Sequence, residues 1–143
     1  MADHILTDLV DGVLTVTLNR PDKKNALTQA MYSGMNAAIA RVENEKGLRV
    51  LRINAHGDAF TSGNDVADFL NHSAKGGDAP VVQFLRAISN TDVPIVAAVN
   101  GPAVGVGVTM LLHCDFVVAH EDALFTTPFV DLGLVPEAAS SLI

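Results

Sequence analysis

One cysteine, Cys114, is all the thiol this chain has, so no disulfide within it can staple the fold. It lies in the apolar run Met110-Leu111-Leu112-His113-Cys114, where a free cysteine reads as a core thiol. Long hydrophobic runs are missing too: the longest, residues 94–99, is too short to span a bilayer. No basic stretch followed by an apolar one opens the chain, so no signal peptide is visible, and the sequence reads as cytoplasmic or organelle-matrix. Positive charge is scarce, with 9 Lys and Arg against 16 Asp and Glu, a net charge of −7 and a pI of about 4.9. Such a chain gains no counterion release on nucleic acid and little attraction to anionic lipid, so neither nucleic acid nor a membrane is an expected partner. There is no Gly-Lys-Ser/Thr phosphate loop and no Gly-x-Ser-x-Gly nucleophile elbow. His56, His72, His113 and His120 are scattered without metal-ligand spacing, so no metal is expected.

What is present is a 143-residue chain with 49% hydrophobic residues and a mean hydropathy of +0.32. That length reads as one domain, 1–143, able to bury a sizeable core. The apolar fraction suits a domain that also buries surface against something else.

The first segment predicts a hairpin. Ile5–Val10 and Val13–Leu18 flank Asp11-Gly12, a dipeptide suited to a tight turn. Val13, Thr15 and Thr17 alternate with Leu14, Val16 and Leu18, giving one apolar face. Thr28 reads as the N-cap of a helix running to about Lys46, with Met31, Met35, Ala38 and Val42 toward a core and Gly47 as its stop. A strand follows at 50–53, a turn at His56-Gly57-Asp58 and a loop at 71–79. A helix is expected over 80–89 and a buried strand over 94–99. A glycine-rich turn, 101–107, leads to a helix over 108–113, then strands at 116–119 and 124–127. The alternation of strand and helix predicts an α/β fold with parallel pairing and helices outside the sheet. In such folds ligands gather where strand C-terminal ends meet helix N-termini.

Two loops have that placement. Ala59-Phe60-Thr61-Ser62-Gly63-Asn64-Asp65 follows the strand at 50–53, and taken alone it reads more readily as an ordinary turn. Asn100-Gly101-Pro102-Ala103-Val104-Gly105-Val106-Gly107 follows the buried strand and opens a helix. Gly105-x-Gly107 resembles a dinucleotide fingerprint, but Met110 stands where the third glycine is required. One outward N–H from each loop, converging on one oxygen, would make an oxyanion hole.

Four stretches then carry a family resemblance. Asn19-Arg20-Pro21 with Lys24-Asn25-Ala26-Leu27 comes first, and Phe60-Thr61-Ser62-Gly63-Asn64-Asp65 second. Asn100-Gly101-Pro102-Ala103-Val104-Gly105 through Cys114-Asp115 is the third. Phe125-Thr126-Thr127-Pro128 and Leu132-Gly133-Leu134-Val135-Pro136-Glu137 make the fourth. Together, in this order, they resemble the signatures of the enoyl-CoA hydratase/isomerase (crotonase) superfamily across nearly the whole chain. The resemblance implies a spiral of ββα repeats that binds acyl-CoA thioesters and stabilises their enolates, with CoA as part of the substrate and no separate cofactor. It implies that Lys24, Ala26 and Leu27 line the CoA groove, beside Ser62, Gly63, Asp65, Val66 and Gly105. The N–H groups of Asn64 and Val106 would be the oxyanion donors, with Val106 at a position often occupied by glycine. Asp65, beside Asp68, would organise its loop.

Family hydratases hold water with two glutamates, and those positions match Thr109 and Phe129 here. Glu137 instead matches the single catalytic glutamate of peroxisomal-type Δ3,Δ2-enoyl-CoA isomerases, so the resemblance favours an isomerase. An enoyl-CoA hydratase or another reaction of the superfamily stays open, as does a non-catalytic CoA-binding or assembly protein. The chain ends at Ser140-Ser141-Leu142-Ile143, in what reads as the start of a further helix. Family members continue with a helical part that helps build trimers, so the chain is expected to be truncated and its full-length form a homotrimer or hexamer.

Overall fold

The computed structural model describes residues 3–71 and 79–143. Its strands are β1 (Ile5–Val10), β2 (Val13–Leu18), β3 (Val50–Ala55), β4 (Ile95–Val99), β5 (Ala103–Val104), β6 (Phe116–Ala119) and β7 (Phe125–Thr126). Its α-helices are α1 (Gln29–Asn44), α2 (Val66–Asn71), α3 (Pro80–Asn90) and α4 (Val106–Thr109), with 3-10 turns at Pro21–Lys23 and Met110–His113. Asp11 and Gly12 sit at φ 51° and 80°, the left-handed pair that a two-residue hairpin turn demands. They set β1 antiparallel to β2, with Val10 opposite Val13 and Ile5 opposite Leu18. Every later step in the main sheet is parallel, β2 to β3 to β4 to β6, giving the order β1-β2-β3-β4-β6. A helix-bearing crossover makes each of those steps, as parallel pairing requires. A second, two-stranded parallel sheet joins β5 to β7.

Alternation decides which face is buried. Leu14, Val16 and Leu18 of β2, Leu51 and Ile53 of β3, and Ile95, Ala97 and Val99 of β4 are all within 2% of full burial. They share one core cluster with Met31, Met35, Ala38 and Val42 of α1 and with Val81, Phe84 and Ile88 of α3. Burying each larger side chain contributes about 1.5–3 kcal/mol. The edge strand β6 differs, because all four of its residues are exposed. Among the described residues no helix is long and apolar enough to cross a membrane.

The differences from expectation are local. α1 ends at Asn44 rather than Lys46, where Glu45 turns to extended backbone. β3 continues to Ala55 because its pairing with β2 continues to Leu18. The helix expected over 108–113 starts at Val106 and tightens to 3-10 from Met110. α2 lies in a stretch where no helix was delimited, and the loop expected at 71–79, including His72, lies outside the described residues apart from its ends. The last residues form a pair of turns, Ser140 N–H to Glu137 C=O at 3.1 Å and Leu142 N–H to Ala139 C=O at 2.8 Å, and the four residues from Ser140 are too few to close an α-helical hydrogen bond. Ala138 and Ala139, at φ 55° and 53°, are left-handed and interrupt any right-handed helix.

Candidate active site

Asn25 anchors the first loop. It is fully buried at φ 53°, a region asparagine tolerates better than most residues. Its Nδ2 donates to the carbonyls of His56 (2.8 Å) and Ala59 (2.9 Å), and its Oδ1 accepts from Arg20 N–H (2.8 Å). Thr61 Oγ1 donates to Asn25 C=O at 2.7 Å and accepts from Gly63 N–H at 3.1 Å. This buried set ties residues 20–27 to 56–63, with both Nδ2 donors and the Oδ1 acceptor of Asn25 engaged. Asp65 then starts α2: its Oδ1 accepts from Asp68 N–H at 3.0 Å, and its Oδ2 pairs with Arg20 Nη1 at 2.7 Å. The Asp68 N–H, then Arg20, hold the Asp65 carboxyl below the usual carboxylate range. Asp65 therefore organises its loop, as expected.

The second loop is stitched to the first. Phe60 N–H donates to Pro102 C=O at 3.0 Å, and Val104 N–H to Thr61 C=O at 3.0 Å. Gly105 sits at φ 57°, ψ −118° immediately before α4, a conformation that a side chain would strain. Gly107 has no room for one either, since a Cβ there would overlap Thr61 Cγ2. The loops thus pack backbone to backbone, which explains the small residues read from the sequence.

The two expected donors end up at the open edge of this join. Leu27 N–H bonds Gly63 C=O at 2.8 Å and Asp65 N–H bonds Leu27 C=O at 2.9 Å, bracketing Asn64 in a short parallel bridge. Val106 is the first residue of α4, where an N–H has no intrahelical partner. Among the described residues no backbone or side-chain oxygen accepts from the N–H of either Asn64 or Val106. Val106 keeps its side chain in the core, 1% exposed, so it does not need the glycine often found there.

Both residues line a cavity of about 460 Å³. Ser62, Gly63, Val66, Gly105 and Glu137 line it as well, together with apolar side chains that include Phe69, Phe129 and Leu134. Among the described residues, Glu137 is the single ionisable side chain in that lining. Burial raises its carboxyl above the ordinary glutamate value. His113 Nε2, from the turn after α4, lies 2.6 Å from Ala138 C=O and fastens the segment carrying Glu137 to the body of the fold. Sequence reasoning gave His113 no role.

Other expected site residues lie elsewhere. Leu27 is 0% exposed and belongs to the core, so its side chain lines no groove. Lys24 is exposed and pairs with Asp58 at 3.1 Å, while its carbonyl accepts from Ser62 N–H at 2.9 Å. Ala26 is half-buried, and its carbonyl accepts from Arg20 Nη1 at 2.9 Å. Neither lines the cavity, and nor does Asp65. Thr109 is 2% exposed beneath Val106, whereas Phe129 stands in the cavity wall. Cys114 is half-buried rather than fully so, and burial, then Asp115, push its thiol up to about 12. A larger cavity of about 560 Å³, beside Asp3, His4, Thr28 and Asp68, is lined by neither glycine loop. No group of three or more His, Cys, Asp or Glu that could hold a metal occurs among the described residues.

The sequence pattern of the family described as Enoyl-CoA hydratase/isomerase matches residues 8–143. Enoyl-CoA delta isomerase 2 of Rattus norvegicus is 38% identical over 143 residues, covering 96% of this chain and 36% of that protein. Enoyl-CoA delta isomerase 3, peroxisomal, of Mus musculus is 37% identical, covering 96% of this chain and 45% of its own length. The crystal structure of an enoyl-CoA hydratase/isomerase from Pseudoalteromonas atlantica T6c superposes with a TM-score of 0.93 at 48% identity, over 98% of this chain and 56% of that one. The chain therefore spans roughly half of these relatives or less. With that pattern matched and that fold shared, the chain belongs to the enoyl-CoA hydratase/isomerase (crotonase) family.

Proposed function

We propose that the protein is a Δ3,Δ2-enoyl-CoA isomerase in which Glu137 moves the proton and the N–H groups of Asn64 and Val106 hold the thioester oxygen. The observation that carries this reading is the cavity, whose lining brings together one carboxylate with a raised pKa and two backbone donors that have no partner among the described residues. A 3-enoyl-CoA would enter with its thioester oxygen at the two N–H groups. Glu137 takes a proton from C2, and the electron pair left behind spreads onto the thioester oxygen. Donors already in place stabilise that charge without reorganising, each contributing about 10²–10³-fold in rate. The carboxylic acid then returns the proton at C4, and the double bond moves to C2–C3, in conjugation. One proton shuttles and no water is added, so one carboxylate suffices, and no metal or redox group takes part in the steps written here.

The residues at the positions that hold water in family hydratases support this choice. Thr109 is buried and does not ionise near neutral pH, and Phe129 offers the cavity an apolar ring. The two mammalian relatives are also named as isomerases. The test is a parallel assay of the full chain on 3-hexenoyl-CoA and 2-hexenoyl-CoA. Conversion of the first without hydration of the second is expected. Hydration of the second would reject the isomerase assignment in favour of a hydratase whose water is held by other groups.

A further inference from the structure

Tyr32 is the chain's single tyrosine, and it is 0% exposed in the first turn of α1. Its ring packs against Phe84 with centroids 5.4 Å apart. A phenylalanine would fill that space equally well, and a buried hydroxyl is costly unless something accepts from it. Here the acceptor is Asn64 Oδ1, to which Tyr32 Oη donates. Asn64 is thereby held from two sides. Leu27 bonds the peptide groups flanking it, and Tyr32 fixes its side chain from within the core.

We propose that Tyr32 is a positioning residue: by pinning the Asn64 side chain, its hydroxyl aims the Asn64 N–H at the substrate's thioester oxygen. This rests on the oxyanion reading given above and deepens it. Alignment of a donor with a developing charge is sensitive to small displacements. A side chain anchored on rigid α1 restrains a cavity-lining loop residue whose own N–H has no partner among the described residues. The hydroxyl also keeps its proton, since burial and then the charge of Glu137 raise its pKa well above the ordinary tyrosine value. It remains a donor throughout the range in which Glu137 works as a base.

The experiment compares Tyr32→Phe, Asn64→Ala, the double variant and Glu137→Gln in the full chain. Turnover of 3-hexenoyl-CoA is one readout. The other is the infrared carbonyl stretch of bound hexanoyl-CoA, a saturated thioester that does not react. Tyr32→Phe should lower kcat roughly tenfold with KM within about twofold, and should move the carbonyl stretch back toward its value in solution. Adding it to Asn64→Ala should cost nothing further. Wild-type kcat and carbonyl stretch in Tyr32→Phe, or effects that simply add in the double variant, would overturn the proposal. If Tyr32→Phe does not fold, Asn64→Ala decides alone, because a wild-type stretch there also overturns it. Glu137→Gln keeps the two readings apart. Full activity in that variant rejects Glu137 as the base, while the carbonyl stretch still reports on Tyr32. No shift of the carbonyl on binding to the unaltered protein would reject the oxyanion hole and Tyr32's role together.

Discussion

A carboxyl group withdrawn from water holds its proton to higher pH than one at the surface. For Glu137 this has two consequences with opposite signs. Its base form is populated only above the raised folded pKa, so the acidic limb of kcat/KM should lie above the ordinary glutamate value of 4.5. A pH–rate profile measures it, and a limb at or below that value would contradict the burial. Stability runs the other way. Because the folded pKa is raised, ionising Glu137 disfavours the native state as pH climbs from the unfolded value through the folded one. Glu137→Gln should then be at least as stable as the parent at pH 7.5, as read from denaturant midpoints. Asn25→Ala should do the reverse. It strips three hydrogen bonds from a fully buried position and should cost about 2–4 kcal/mol by the same measurement. Residues were unevenly legible in the sequence. The two small-residue loops show at strand ends, but Asn64, Val106 and Glu137 as individual site residues are visible only through family resemblance, since a loop's composition does not say which N–H stays free and a carboxylate's sequence neighbours do not report its burial. Tyr32 gave no signal, because one aromatic on a helical core face looks like packing alone.

Elements were legible where local chemistry is strong. Asp11-Gly12 fixes the hairpin by conformation, and both strands fall at the expected residues. Thr28 caps α1 by accepting from Met31 N–H at 3.3 Å. Thr28→Ala should therefore lower stability by about 1 kcal/mol, measurable by chemical unfolding. The bounds of α2 are not legible because it spans six residues and buries none of them, so no apolar period marks it. Its start is set by Asp65, whose cap on the Asp68 N–H is local but whose ion pair with Arg20 comes from tertiary structure. The turn before Ser140 is not legible for a similar reason: Ala138 and Ala139 have no intrinsic taste for left-handed backbone, and His113 holds Ala138 from a distance in sequence. His113→Ala should release the Glu137 segment and lower kcat roughly tenfold, whereas His113→Gln, able to donate to the same carbonyl, should recover much of it. Equal activity in all three forms would remove His113 from this role.

At the scale of the whole molecule, parallel pairing is legible from the succession of strands and helices, and the covered sheet face from the alternation in β2, whereas the strand order is seen only in the structure. The other surface is unusual. Phe116, Val118, Leu124, Val130 and Val135 are each more than 60% exposed, and β6 forms an open edge of the main sheet. Apolar surface beside an unpaired strand edge favours association. The 143-residue chain should self-associate as concentration rises in sedimentation velocity, and a monomer at every concentration would contradict this. The proposed reaction turns on one carboxylate. The most direct measurement is turnover of 3-hexenoyl-CoA by Glu137→Gln, with folding verified by circular dichroism. A loss of about 10³-fold is expected for a general base, and activity equal to the parent in a folded variant would contradict the assignment of Glu137.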